Sequence, residues 1–319
     1  MKLIEVYRTI VNHGMKMDPR GRDRVKKELL RAKKEYDKLD TSGKALYDKE
    51  RLAHPYSDTR ILYGNENTQV RTILTGIDME TPELLLADRL KEKGKKIDLV
   101  LSHHPEGTAL AGFFNVMYMQ IDILNRIGVP INIAESMMIE RIKEVERKVS
   151  PVNHMRAVDA AELLGIAFMT CHTPADNCVA SFLDNLMKKK RPETLGEVID
   201  ILKDIPEYKY SAAHNCPPSI IRGNASSKAG KIFVDMTGGT EGAKNIFGKL
   251  SQAGVSTLLC MHLSEEHFKK AKEEHLNVII AGHIASDNVG LNLMFDEIES
   301  KSKLEILTCS GFRRFKRKK

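Results

Sequence analysis

The 319-residue sequence contains no tryptophan, and aromatic residues make up only 6% of it. Single-stranded nucleic acids stack on aromatic side chains, so this shortage argues against such a stacking platform. The five cysteines are an odd number and show no CxxC spacing. We therefore expect neither a disulfide framework nor a cysteine zinc site, but free cysteines in a reducing cytosol.

Long apolar runs are also missing. No uninterrupted stretch approaches the roughly 18 apolar residues that a membrane helix needs. Glu5 and Arg8 interrupt the first residues, where a secretory signal would be apolar. We therefore expect a cytoplasmic protein that does not bind a membrane. The absence of HExxH and GxSxG motifs argues against a mononuclear metalloprotease and a serine hydrolase.

Positive charge is concentrated near the two ends of the chain. The net charge is +7, yet residues 20–51 carry a net +5, and the tail 312–319 contains six basic residues and no acidic one. The remaining residues have a net charge of −4. A uniformly basic nucleic-acid surface is not expected, although the basic ends could contact phosphates. The tail itself is typical of a solvated, frayed terminus.

Hydrophobic periodicity predicts an N-terminal helical extension followed by two α/β lobes. Apolar residues at steps of three or four between Val25 and Leu39 predict a helix. From residue 70, short apolar runs alternate with amphipathic helices, as in parallel sheets covered by helices. The alternation occurs twice, which predicts two similar lobes that face each other. The predicted ranges are a helical extension at 1–60, a first lobe at 61–190, a linker region at 191–222, a second lobe at 223–311 and a basic tail at 312–319.

Three predicted strands are followed directly by histidine, and two of these histidines have an aspartate four residues later. The strand ends are LVLSHHPEG, IAFMTCHTPAD and NVIIAGHIASD, which contain His103, His104, His172, Asp176, His283 and Asp287. In open α/β sheets the carboxyl ends of the strands meet along one edge. We therefore expect these six side chains to lie close together.

Imidazole and carboxylate groups are suitable ligands for borderline divalent ions such as Zn, Fe, Mn, Co or Ni. Two adjacent histidines on a turn can diverge toward different ions. A pair of ions roughly 3.5 to 4 Å apart would use such a set of ligands and keep positions open for water. The sequence therefore predicts a reactive site that holds two divalent metal ions.

The same three segments resemble the signature motifs of a known family. SHHPEG, CHTPADN and AGHIASDNVG, in this order, are similar to those of the NIF-three-like dinuclear metal-centre family, often labelled as a type 2 GTP cyclohydrolase I. The resemblance covers roughly residues 60–310. It implies two α/β lobes that enclose two metal ions, and toroidal hexamers built from dimers.

The resemblance also implies a role for each residue of the motifs. His103 and His104 match the paired histidine ligands, and Asp176 matches the carboxylate expected to bridge both metals. His283 matches the ligand of the last motif. His172 matches a histidine beside the ligands, and we predict that it orients its neighbours or transfers a proton.

Two positions depart from the family pattern. Asp287, which we predict to be a metal ligand, stands where the family usually has glutamate, so its carboxylate reaches less far. CMHLSEEHF replaces a Thr-Gly-Asp segment, and its His262 and His267 could line the pocket without being ligands.

Two functions remain open at this point. The first is a cyclohydrolase-like, metal-dependent hydrolase that uses a metal-activated water on a nucleotide-like or heterocyclic small molecule. The alternative is a non-catalytic, metal-braced oligomeric scaffold or regulatory protein that binds a protein or nucleic-acid partner. The sequence leaves the substrate, the metal and the number of subunits undetermined.

Overall fold

Residues 1–317 are described by a computed structural model, in which they form fourteen α-helices and nine strands. The strands are β1 (Ile61–Tyr63), β2 (Thr72–Gly76), β3 (Leu99–Ser102), β4 (Phe168–Thr170), β5 (Ser219–Arg222), β6 (Lys231–Asp235), β7 (Val255–Cys260), β8 (Asn277–Ile280) and β9 (Glu305–Thr308). The helices are α1 (Leu3–Met17), α2 (Arg22–Lys38), α3 (Thr41–Leu46), α4 (Thr81–Glu92), α5 (Gly107–Ala111), α6 (Met119–Ile127), α7 (Ile131–Val149), α8 (Arg156–Leu163), α9 (Thr173–Lys190), α10 (Leu195–Lys203), α11 (Pro206–Ala213), α12 (Phe247–Gln252), α13 (Glu265–Glu273) and α14 (His283–Lys301). None of these helices combines the length and apolar character that a membrane crossing requires.

The strands form two sheets with the same plan. The first has the order β1-β4-β3-β2-β9 and the second the order β5-β8-β7-β6. In each sheet, the strand that comes first in the chain pairs antiparallel at one edge, and all other pairs are parallel. Parallel strands need helical crossovers, which cover the sheet faces and bury the strands. The predicted α/β class with two similar lobes and N-terminal helices is therefore confirmed.

Two strands do not belong to the sheets that the predicted domain ranges indicate. β9 falls within 223–311, the range predicted for the second lobe, but its residues pair with β2 in the first sheet. β5 falls within the predicted linker and pairs with β8 in the second sheet. The 19 residues of α14 span roughly 28 Å and return the chain to the first lobe, where β9 covers an otherwise unpaired edge of β2.

The N-terminal helices form part of the core of the first lobe. Leu3, Val6 and Ile10 of α1 are fully buried in one apolar cluster with Ile73 of β2 and Phe295 of α14. α2 occupies the segment for which a helix was predicted. The extension therefore packs on its own chain, and its last residues lead directly into β1.

Helices α9 and α14 bring the two lobes together. α9 begins directly after β4 of the first sheet, and α14 follows β8 of the second. Gly290 of α14 lies against the backbone carbonyl of Ala175 in α9. Because these residues are small, the two helices approach each other closely. The first turns of both helices, and the residues that they carry, therefore meet at one place.

The prediction of a frayed basic tail is wrong for residues 312–317. Phe312 is fully buried, and its ring centroid lies 5.7 Å from that of Phe295. An Nη2 atom of Arg317 lies 2.9 Å from Oε1 of the buried Glu207. The basic side chains thus find acidic partners on the folded body, which periodicity alone does not reveal. The last two residues lie outside the described part of the chain.

We expect Phe312→Ala to lower the free energy of unfolding by about 3–5 kcal/mol, because it removes a buried aromatic ring and leaves a cavity. Chemical denaturation measures this loss. Phe315→Ala, at a partly exposed position of the same segment, is the matched control and should cost clearly less. Equal losses for both variants would contradict a tail that is anchored by Phe312.

Candidate metal centre

The six residues predicted to share a site lie in one cluster at the junction of the two lobes. His103 follows β3 of the first sheet, and its Nε2 lies 3.5 Å from Oδ1 of Asp176 in α9. The same Nε2 lies 3.5 Å from Oδ1 of Asp287 in α14. One histidine therefore faces a carboxylate from each lobe, as the strand-end argument predicted.

The other three histidines also direct Nε2 toward these two carboxylates. The Nε2 atoms of His104 and His283 lie 3.5 and 3.6 Å from Oδ2 of Asp287. His172 Nε2 lies 3.7 Å from Oδ2 of Asp176. These distances are too long for strong hydrogen bonds. They approach the roughly 3.3–3.5 Å that separates two ligands of one tetrahedral zinc with bonds near 2.0–2.1 Å.

Several nitrogen and oxygen atoms of the cluster are buried without any hydrogen-bond partner among the described residues. They are His103 Nε2, Asp176 Oδ1 and both carboxylate oxygens of Asp287. A buried polar atom without a hydrogen bond costs about 1–3 kcal/mol, and a charged one costs more. A cation between the two carboxylates would satisfy these atoms, so the residues present fit a bound metal.

Among residues 1–317, three groups of three side chains could hold a metal ion. Within each group, one nitrogen or oxygen atom of every side chain lies within 4.8 Å of the other two. The groups are His103 with His104 and His172, His104 with His283 and Asp287, and His103 with Asp176 and Asp287. Asp287 thus belongs to two groups and Asp176 to one. The bridging role that the family resemblance implies for Asp176 stays a prediction.

A second layer of oxygen atoms holds three of the imidazole rings. The contacts are His103 Nδ1 to the Cys171 carbonyl oxygen at 3.0 Å, His104 Nδ1 to Asp78 Oδ1 at 2.6 Å, and His172 Nδ1 to Asp58 Oδ2 at 2.8 Å. An acceptor at Nδ1 favours the tautomer whose proton is on Nδ1, which leaves the lone pair of Nε2 free. All three rings are therefore prepared to bind a cation through Nε2.

The titratable groups of the cluster have pKa values that are shifted in opposite directions. Burial raises the pKa of the Asp176 carboxyl well above its usual range. Burial alone would also raise the pKa of Asp287, but the nearby His103 and His104 outweigh it and hold that pKa below its usual value. Burial lowers the pKa of His283 to about 4, so this imidazole is neutral at pH 7 and available as a ligand.

His104 behaves differently from His283. Burial by itself would lower its pKa, but the carboxylates of Asp287 and Asp78 outweigh that effect and raise it to about 10. Without a cation, this imidazole is therefore protonated on both nitrogens at neutral pH, and its positive charge partly compensates the buried carboxylates. A metal ion bound at Nε2 would replace that proton.

Sequence reasoning missed two of the supporting residues. Asp78 lies two residues after the end of β2, so the strand-end criterion that found the six residues could also have found it. Asp58 gives no such signal, because it precedes β1 and lies in the extension to which no chemistry was assigned. Only the tertiary structure places its carboxylate beside His172.

A cavity adjoins the cluster on the side of the second lobe. Its lining includes His172, His283 and His262 together with the loop 236–243, and the described residues that line it include no lysine or arginine. The ring centroids of His262 and His283 are 4.8 Å apart, so His262 lines the pocket as expected. His267 also lines it, but its Nε2 contacts the Gly242 carbonyl oxygen at 2.9 Å.

Several solved structures are similar to this chain. A NIF3 superfamily protein from Sphaerobacter thermophilus has a TM-score of 0.68 and 26% sequence identity, over 80% of this chain and 91% of that chain. Reduced HcgD from Methanocaldococcus jannaschii has a TM-score of 0.47 and 15% identity, over 78% and 87% of the two chains. A Bacillus cereus protein related to NIF3 has a TM-score of 0.43 and 10% identity, over 79% and 90%. The sequence matches no protein-family model and no curated protein.

The first of these matches carries the assignment of the fold. It spans most of both chains, at a TM-score of 0.68 and 26% identity. The family resemblance predicted from the motifs is therefore confirmed, and this chain has the fold of the NIF3 superfamily.

Proposed function

We propose that this chain binds two divalent metal ions at the junction of its lobes and acts as a metal-dependent hydrolase. The observation that carries the proposal is the set of buried, unpartnered atoms on His103, Asp176 and Asp287 that face one another. His104 and His283 complete the proposed ligands. Zn, Fe, Mn, Co and Ni all suit this mixture of imidazole and carboxylate.

Bound ions of this kind supply a Lewis acid and lower the pKa of a coordinated water to about 7. His172 is the proposed proton-transfer residue. It belongs to the cluster and also lines the cavity, and its Nδ1 is hydrogen-bonded to Asp58. Its Nε2 is then the atom that could accept a proton in the cavity.

We propose a small nucleotide-like or heterocyclic substrate for the adjoining cavity. Apolar side chains such as Phe233 and Met236 line one part of it, and the acidic Asp235 and Glu241 line another. This lining favours an uncharged group with hydrogen-bond donors. Because lysine and arginine do not line the cavity among the described residues, a phosphate would depend on the metal ions or on backbone amides of the loop 236–243.

A metal-braced scaffold is the second candidate function, and one observation favours it. The proposed ligands come from both lobes, since Asp176 follows β4 of the first sheet and Asp287 follows β8 of the second. Metal ions bound here would also fasten the lobes together. A protein or nucleic-acid partner would then bind the oligomer surface or the basic ends, and the hexamer stays a prediction.

Elemental analysis combined with native mass spectrometry tests the proposal. We expect about two divalent ions per chain and, for the predicted assembly, a mass of six subunits. Chelation then separates the two functions. A protein that keeps its assembly and melting temperature after metal removal supports a reactive site, whereas one that dissociates or unfolds supports the scaffold. A chain that takes up no divalent ion would contradict both.

A further inference from the structure

We propose that Asp58 is a positioning residue of the metal centre. In this proposal Asp58 holds His172 in the orientation and tautomer that leave the lone pair of Nε2 free beside the proposed metal ligands. The inference rests on the proposed metal function but concerns a residue of the N-terminal extension, outside the three sequence motifs. It makes the end of that extension a working part of the site.

Asp58 is fully buried, and one of its oxygens receives three donors from the start of α9. Oδ2 lies 2.8 Å from His172 Nδ1, 2.6 Å from Thr173 Oγ1 and 3.3 Å from the Thr173 backbone nitrogen. Hydrogen bonds to a charged acceptor are roughly twice as strong as those between neutral groups. The carboxylate therefore orders both the His172 ring and the first residues of α9.

The surrounding packing leaves the ring little freedom. The His172 ring centroid lies 5.0 Å from that of His103 and 5.6 Å from that of Phe113. With Nδ1 on Asp58, the opposite nitrogen is the one 3.7 Å from Asp176 Oδ2. The proton of a neutral ring must be on Nδ1 to bond a carboxylate, so Nε2 keeps its lone pair.

The backbone around Asp58 is joined to the same segment of the first lobe. The Thr170 hydroxyl donates to the Asp58 carbonyl oxygen at 3.1 Å, and the His172 backbone N–H donates to the Thr59 hydroxyl at 3.1 Å. Residues 58 and 59 are thus bonded to the end of β4 and to the backbone of His172. This attachment keeps the carboxylate in place while α9 carries Asp176 into the cluster.

Cobalt titration of Asp58→Asn tests the proposal, because visible Co²⁺ absorption reports both affinity and ligand geometry. The variant keeps the shape of the side chain and removes its charge. We expect it to bind Co²⁺ at least about tenfold more weakly than the unmodified protein, with altered absorption bands. Asp58 orders His172 and the start of α9, the helix that carries Asp176, and loss of a residue that supports a metal site typically costs 10–100-fold in affinity.

Asp18→Asn is the matched control. Asp18 is an equally inaccessible carboxylate of the same extension that contacts Arg20 at 2.9 Å and the Tyr56 hydroxyl at 2.8 Å, but none of the histidines in the cluster. We expect this variant to melt at a lower temperature and to keep the cobalt affinity and spectrum. A cobalt change in both variants would assign the effect to general loosening of the extension and overturn the proposal.

A double-mutant cycle with His172→Ala decides whether Asp58 acts through His172. We expect Asp58→Asn to cause no further loss of cobalt affinity in the His172→Ala background. Additive losses, or an Asp58→Asn variant with unchanged affinity and spectrum, would overturn the proposal and leave the metal function standing. Failure of the unmodified protein to bind cobalt would overturn both.

Nitrogen-15 NMR of the unmodified protein gives a result that does not depend on the variant folding. We expect the neutral ring of His172 to carry its proton on Nδ1. A proton on Nε2 would overturn the proposed role of Asp58, whatever the metal content of the protein.

Discussion

Asp176→Ala should abolish tight binding of divalent metal and leave a folded apoprotein. Asp176 is one of the two carboxylates that the histidines surround, and its Oδ1 has no partner among residues 1–317. Burial raises the pKa of this carboxyl, which means that its ionised form is costly in the metal-free protein. Removing the group should therefore not destabilise the apoprotein strongly. Alanine also has the highest intrinsic helix propensity.

Calorimetric titration with zinc and melting curves with and without the ion measure this effect. The unmodified protein should gain about 2.7 kcal/mol of stability for each bound ion at a free metal concentration 100 times the dissociation constant, and the variant should gain almost none. Asp184→Ala is the matched control, since Asp184 lies two turns later on α9 and pairs with Lys188 at the surface. Undiminished zinc binding by Asp176→Ala would remove the basis of the proposed function.

The same variant separates the two candidate functions. A folded, fully assembled Asp176→Ala protein without metal would favour the hydrolase, because the ions would then serve chemistry and not structure. If the loss of metal instead released the subunits or unfolded the chain, the metal-braced scaffold would be favoured.

Gly290→Ala should destabilise the protein and weaken metal binding together. A Cβ at this position would lie 2.9 Å from the carbonyl carbon of Ala175 and still closer to its oxygen. Alanine gains about 1 kcal/mol over glycine in a helix, but overpacking costs about 1–3 kcal/mol. We expect the clash to dominate, because the atoms that must move belong to the backbone of α9.

Movement of α9 away from α14 would also separate Asp176 from Asp287. Denaturation and zinc titration of Gly290→Ala should therefore show a loss of stability and a loss of affinity. Gly112→Ala provides the comparison, since the nearest atom to a Cβ there is 3.4 Å away and the backbone has φ near −90°. A Gly290→Ala protein that is more stable than the original would show that the interhelical contact has room for a methyl group.

Local patterns in the sequence predicted the parts of the structure that depend on short segments. Apolar runs of about five residues followed by histidine or aspartate indicated the strands and the edge at which they end. Because parallel strands of one sheet must end on the same side, this alone predicted that His103 and Asp176 meet. The structure brings all six predicted residues together. The ligand role of five of them and the proton-transfer role of His172 stay predictions.

Long-range pairing explains where the sequence-based predictions were incomplete. β9 lies next to β8 in the chain, but it pairs with β2, more than 200 residues earlier. The basic tail resembles a solvated terminus, yet Phe312 packs on Phe295 of α14 and Arg317 pairs with Glu207, more than 100 residues earlier. Periodicity contains no information about partners at such separations.

The amino-acid sequence determined the α/β class, the two repeated lobes and the residue types that suit divalent metal, because each depends on spacing within a few residues. The tertiary structure alone decided which atoms of Asp287 and His103 face each other, and that Asp58 of the extension lies beside His172. The physical reason is that these contacts depend on how closely α9 and α14 pack and on how the N-terminal extension packs on the first lobe. Both follow from burial over the whole chain, which no single segment specifies.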